Sequence, residues 1–134
     1  MEKKAFRNRL KYGMHEFKDG TVAYAYQHTN PDGSVGGWVT ETAIVEDTCY
    51  INKDAEVTEY AQVRDNAQVL GICHVHGFAT VKDNAILDDW CVINEEAVIS
   101  GTAFVCGGTV VGGKSRVACG IVDEDKIYTR LIKV

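Results

Sequence analysis

A six-residue repeat runs without interruption from residue 43 to residue 117 and constrains the fold more than any other feature. Each hexad has a small residue followed two positions later by Val, Ile or Leu. The small residues are Ala43, Cys49, Ala55, Ala61, Ala67, Cys73, Ala79, Ala85, Cys91, Ala97, Ala103, Thr109 and Ser115. The aliphatic residues are Val45, Ile51, Val57, Val63, Val69, Val75, Val81, Leu87, Ile93, Ile99, Val105, Val111 and Val117.

A period of six fits neither an α-helix, which repeats every 3.6 residues, nor a plain strand, which repeats every two. A short strand followed by a tight corner does have this period. The small and aliphatic residues then share the inward side of the strand. Asp, Asn and Gly recur at the next positions, and they favour corners because they tolerate left-handed or turn dihedrals. The sequence therefore predicts a coil of short strands that stack to bury the aliphatic side chains.

The sequence of the repeats, such as VRDNAQ at 63–68 and VKDNAI at 81–86, resembles that of the hexapeptide-repeat family. This resemblance implies an all-β, left-handed parallel β-helix with three hexads per coil and about four to five coils. The left hand comes from the resemblance alone, because ordinary parallel crossovers are right-handed. The resemblance covers Gly37 to Val117. With the Gly-Gly-Trp sequence at 36–38, the chain is most similar to hexapeptide-repeat proteins of phages and prophages.

The ends of a solenoid need caps because they leave strand edges unpaired. Residues 1–36 are predicted to form an N-terminal hairpin cap, with a turn at 30–33. Residues 37–117 form the β-helix, and residues 118–134 form a C-terminal capping strand. All three segments belong to one folded unit.

Two histidines are the strongest chemical candidates. His74 and His76 flank the inward Val75, so both are predicted to project from one outer face, with His74 stacked on Glu56. Two imidazoles near a carboxylate could begin a metal site, or one could act as a general base. Two plain surface histidines are the alternative. We predict no resident metal.

An apolar strip is predicted on the outside of a helix whose interior is already filled. It consists of Leu70, Ile72, Trp90, Val92 and Val110. Exposed apolar strips of this kind mark interaction surfaces, and the resembled family is characteristically trimeric. We therefore predict a homotrimer. The alternative is that residues 1–36 or the C-terminal strand cover the strip within one chain.

The function predicted from these features is a non-catalytic, trimeric binding or structural module, similar to phage proteins of this family. A small ligand such as a nucleotide, or a protein partner, would bind near clefts between subunits. The predicted lining combines His74, His76 and Trp90 with the basic residues Arg64, Lys82 and Lys114. No cofactor is predicted for this function.

The resemblance also implies enzymatic alternatives. An acetyl-CoA-dependent acyltransferase with His74 or His76 as general base is the competing function. The γ-type carbonic anhydrases of this fold bind zinc through three histidines. That activity is not expected here, because His74-Val75-His76 has a different spacing and only His15 and His28 remain.

Composition restricts the partners and the cellular compartment that we expect for the protein. The formal net charge of -5 disfavours binding of extended nucleic acid over a broad surface. No apolar run has the length of a membrane span, and no secretory signal is apparent. The five cysteines contain no C-x-x-C pair, so neither a disulfide framework nor a zinc finger is expected. We expect a cytoplasmic protein, in the host cytoplasm if phage-encoded, that does not interact with membranes.

One motif conflicts with this interpretation. GTVVGGKS, residues 108–115, matches the phosphate-loop pattern G-x-x-x-x-G-K-[ST]. A working phosphate loop needs a helix that starts at the Lys-Ser pair. The repeat instead places Ser115 inward in the small column, so the motif is interpreted as the last hexads.

Overall fold

The computed structural model describes residues 9–123 and, for the backbone alone, residues 127–128. All regular structure in this part of the chain is β. In chain order the strands are β1 (Gly13–Glu16), β2 (Val22–Thr29), β3 (Val35–Thr40), β4 (Ile44–Val45), β5 (Tyr50–Ile51), β6 (Glu56–Val57), β7 (Gln62–Val63), β8 (Gln68–Val69), β9 (His74–Val75), β10 (Thr80–Val81), β11 (Ile86–Leu87), β12 (Val92–Ile93), β13 (Val98–Ile99), β14 (Phe104–Val105), β15 (Val110–Val111), β16 (Arg116–Val117), β17 (Ile121–Val122) and β18 (Ile127–Tyr128).

The strands form three sheets that wrap the chain into a solenoid of about five turns. Sheet A has the order β1-β2-β3-β6-β9-β12-β15-β18, sheet B β16-β13-β10-β7-β4, and sheet C β17-β14-β11-β8-β5. Strands of successive coils pair in parallel, 18 residues apart, as Val57 with Val75 and Val75 with Ile93. The predicted all-β solenoid with three hexads per coil is confirmed. The described residues include no helix long and apolar enough to cross a membrane.

The core consists of the two columns that the repeat predicts. All thirteen small residues and all thirteen aliphatic residues of the repeat are buried, none more than 4% exposed. Between coils, backbone N–H groups donate to carbonyls seventeen residues further along, as Glu56 N–H does to Cys73 O at 3.1 Å. Each coil therefore supplies both the apolar contacts and the backbone partners of the next coil.

The corners have a regular backbone conformation. From residue 59 to residue 113, the first residue of ten successive corners has a φ between 54° and 69°. Where this residue is acidic, its carboxylate accepts the backbone N–H one coil above: Asp65 from Asp83 at 3.1 Å, and Asp83 from Gly101 at 2.9 Å. Because these carboxylates bond to N–H groups, the stacked acids serve as structural hydrogen-bond acceptors.

The N-terminal cap contains one more strand than the sequence analysis predicts. The predicted hairpin exists as the antiparallel pair β2 and β3, with a turn closed by the Gly33 N–H bond to Asn30 O at 2.8 Å. The additional strand β1 pairs antiparallel with β2. Gly37 in β3 lets the cap approach the first coil, because a Cβ on it would lie 2.1 Å from Ala55 O.

The C-terminal strands continue the solenoid beyond Val117. β17 pairs in parallel with β14, and β18 pairs with β15. The step from Val117 to Val122 is five residues, one fewer than in the repeat, which is why the hexad pattern ends at Val117. Of the predicted terminal strand, Ile127–Tyr128 is confirmed as β18, and the remainder of 126–134 lies outside the described residues.

The phosphate-loop motif is part of this solenoid. Thr109 and Ser115 are fully buried in the small column, and Gly113, with a φ of 59°, makes a corner between β15 and β16. No helix begins at Lys114, so the backbone lacks the N–H array that binds phosphates.

Candidate functional site

The outer face of sheet A has a group of polar and aromatic side chains. Strand pairing places Trp38, Glu56 and His74 in one outward column. The turn between β1 and β2, residues 17–20, lies against this column, and Lys18 N–H donates to Glu56 Oε2 at 3.1 Å. This contact holds the β1–β2 hairpin against the outer face of sheet A.

His74 and His76 lie together on this face, as predicted from their spacing. Their ring centroids are 4.5 Å apart. His74 Nε2 lies 2.8 Å from the Thr58 hydroxyl, and His76 Nδ1 lies 3.0 Å from Glu59 Oε1. Each imidazole is thus held by a residue of the coil below.

The predicted stacking register of His74 on Glu56 is confirmed, since these residues pair across β6 and β9. The polar contacts differ from that register. Glu56 bonds to the backbone of Lys18, and the carboxylate beside the histidines is that of the corner residue Glu59. Corner side chains can reach over the strand of the next coil, and the column pattern does not encode this.

The surroundings of His74 and of Glu59 shift the pKa of each of these two groups. Burial, with a smaller contribution from the nearby His76, lowers the pKa of His74 to about 4. The hydrogen bond with His76 lowers the pKa of Glu59. At neutral pH the cluster therefore pairs a neutral His74 with an ionised Glu59.

The predicted apolar strip is exposed at its tip. Ile72 and Trp90, at the corner between sheets C and A, are 54% and 58% exposed. Leu70, Val92 and Val110 beside them are half-buried. The described residues 9–36 of the N-terminal cap leave this tip exposed.

A second apolar pair lies at the corner between sheets A and B. The rings of Tyr60 and Phe78 stack with centroids 5.2 Å apart. They are 55% and 65% exposed. This pair was not predicted from the sequence, although both aromatics occupy the same corner position one coil apart.

A single chain does not bring all the predicted lining residues together. Arg64 and Lys82 follow strands β7 and β10 of sheet B, and Lys114 lies at the corner between sheets A and B. Trp90 lies at the other edge of sheet A. A cleft that contains both the indole and these cations therefore needs two chains.

Metal and thiol chemistry find little support in the described residues. No group of three or more His, Cys, Asp or Glu there is arranged to hold a metal ion. Cys73 and Cys91 are free, fully buried thiols with Sγ atoms 3.2 Å apart. The hydrogen bond with Cys73, together with burial, raises the pKa of Cys91. Such a thiol behaves as an apolar core group.

Comparison of the chain with protein-family models, with curated proteins and with solved structures gives no match.

Proposed function

We propose that the protein is a homotrimeric β-solenoid module that holds a small anionic ligand, such as a nucleotide, in clefts between its subunits. The observation that supports this function is the exposure of two separate apolar corners on the two edges of sheet A, Ile72 with Trp90 and Tyr60 with Phe78. Large exposed apolar side chains that cluster in this way mark contact surfaces.

A cyclic trimer needs two different patches on each chain, because its interfaces are heterologous. When the three-fold axis is parallel to the stack, contacting patches must also lie at similar heights. Ile72 lies two thirds of a coil after Tyr60, and Trp90 lies two thirds of a coil after Phe78. Each separation corresponds to a rise of about 3 Å along the stack. The two corners therefore match in chemistry and in height.

This arrangement would complete the cleft that one chain lacks. The Trp90 corner of one subunit would meet the corner of the next subunit that bears Lys114, with Arg64 and Lys82 nearby on sheet B. An indole can stack on a base, and Lys and Arg can bind phosphate oxygens. Sheet A, with His74 and His76, would face the three-fold axis.

Calorimetry of the assembled protein with a panel of nucleoside mono-, di- and triphosphates tests the ligand. We expect saturable binding that weakens at least tenfold in Lys82→Ala. Lys11→Ala, which removes an exposed lysine of the N-terminal cap, is the matched control. If no nucleotide in the panel binds, the ligand is abandoned and a purely structural module remains.

An acetyl-CoA-dependent acyltransferase is the second candidate, favoured by the 3.0 Å contact between Glu59 and His76. A carboxylate that accepts from Nδ1–H of an imidazole orients the ring and leaves Nε2 to take a substrate proton. His76 fits this role better than His74, whose Nε2 contacts Thr58 and whose low pKa makes it a weak base. Absence of acetyl-CoA binding in the same calorimetry contradicts this alternative.

A further inference from the structure

A cavity of about 590 Å³ lies between the β1–β2 hairpin and the first coils, and its lining does not include the two histidines His74 and His76. Residues of β1 and its turn line it, including His15 and Lys18. Trp38 of β3 and Glu56 of β6 also line it. One chain contains the whole lining, so the cavity does not depend on the proposed trimer.

Glu56 is the unusual residue of this cavity. It is only 6% exposed, and Oε2 accepts the Lys18 N–H at 3.1 Å. Among the described residues, no Lys, Arg or His nitrogen lies within ion-pair distance of its carboxylate. A buried carboxylate without a cationic partner is costly in free energy. A ligand that brings a positive charge to Glu56 would remove that cost.

The aromatic wall defines the remainder of the ligand. The rings of His15 and Trp38 stack at a centroid distance of 3.8 Å and an angle of 9°. Phe17 and His15 form an edge-to-face pair with ring centroids 4.8 Å apart. Flat aromatic surfaces beside a carboxylate favour an organic cation, since π faces attract ammonium groups and also pack against carbon.

The charges around the cavity favour a cation over an anion. Its lining contains the carboxylates of Glu16, Asp54 and Glu56 and two lysines. The ammonium group of Lys18 already donates to the backbone carbonyl of Asp54. The other lysine, Lys53, is exposed. The most buried carboxyl group in the lining is that of Glu56.

We propose that this cavity binds a small organic ammonium ion, with its charged nitrogen at the Glu56 carboxylate and its carbon framework against the Trp38–His15 stack.

Calorimetry with three ligands of the same size and different charge tests the proposal on the full chain. Benzylammonium is expected to bind at least tenfold more tightly than benzyl alcohol and benzoate. Glu56→Gln should weaken benzylammonium at least tenfold and leave benzyl alcohol unchanged, because only the charge is removed. Glu96→Gln, which neutralises an exposed carboxylate at a distant corner, should bind like the unsubstituted chain.

Benzoate binding as tightly as benzylammonium would overturn the proposal, as would undiminished benzylammonium binding by a folded Glu56→Gln variant. If this variant lacks the circular dichroism of a folded solenoid, the three-ligand comparison on the unsubstituted chain decides. The whole lining of the cavity comes from one chain, so the ligand comparison and the measurement of the oligomeric state are separate tests.

Discussion

The imidazole rings of His74 and His76 lie 4.5 Å apart on one face of sheet A, and the deeper ring, His74, has its pKa lowered to about 4 by burial. The unfolded chain binds a proton on this residue more tightly than the folded chain, since the ordinary value is 6.5. The contribution of His74 to the unfolding free energy is therefore fully present above about pH 6.5 and is lost as the pH falls toward 4.

We expect His74→Gln to remove part of this pH dependence. In urea unfolding at pH 7 and pH 4.5, the loss of unfolding free energy between the two pH values should be smaller in the variant by about 2 kcal/mol. His76→Gln is the control on the same strand. An equal loss in His74→Gln and in the unsubstituted chain would contradict the assigned environment of His74.

Asp83 should be sensitive to the side chain that replaces it, because it combines a φ of 60° with a bond to the Gly101 N–H at 2.9 Å. Asp83→Asn keeps an acceptor and tolerates the left-handed backbone, so we expect a change within about 0.5 kcal/mol. Asp83→Ala removes the acceptor and tolerates the left-handed backbone less well, so it should lower the unfolding free energy by about 1–3 kcal/mol. Equal unfolding midpoints for the two variants would show that this bond contributes nothing.

Gly37 should not tolerate even a methyl group, because a Cβ there would lie 2.1 Å from Ala55 O and 2.6 Å from Asn52 O. Both are backbone atoms of the first coil and cannot rotate away. We expect Gly37→Ala to destabilise by about 2 kcal/mol or more. Gly13→Ala meets nothing within 4 Å and is the matched control. Similar thermal midpoints for both variants would contradict the close approach of β3.

Thiol reactivity offers a chemical test of the core. Cys49, Cys73, Cys91 and Cys106 are buried, and Cys119 is exposed. In the native protein we expect a disulfide reagent such as DTNB to label one thiol quickly and the other four only on unfolding. Cys119→Ser should remove the fast phase. Fast labelling of Cys49, Cys73 or Cys91 in the native protein would mean that the buried column of small residues is open.

The solenoid could be predicted from the sequence because its constraint is local and repeated. Each hexad has one inward small residue and one inward aliphatic residue. Ala79 and Val81 occupy these positions in one hexad, and their counterparts occupy them in every other hexad. Side-chain columns follow from the same period, which is why His74 and Glu56 occur in register. The left hand does not follow from the period.

The candidate site could be predicted only in part, because its contacts cross from corners and from the N-terminal cap onto sheet A. Glu59 lies at a corner seventeen residues before His76, and no strand period links the two. The Asp19-Gly20 pair is a hairpin turn signal that could have located β1. Its packing onto Glu56 depends on the Lys18 backbone, which no side-chain pattern reveals.

The oligomeric state is the most direct test of the proposed module. Light scattering of the purified chain at micromolar concentration should give three times the 14.7 kDa of one chain. The double variant Ile72→Asp with Trp90→Asp should reduce this mass to that of one chain, because charges would replace the apolar corner. Ile44→Asp, a comparable exposed position on sheet B, should leave it unchanged. A single-chain mass for the unsubstituted protein would contradict the trimer and the inter-subunit cleft together.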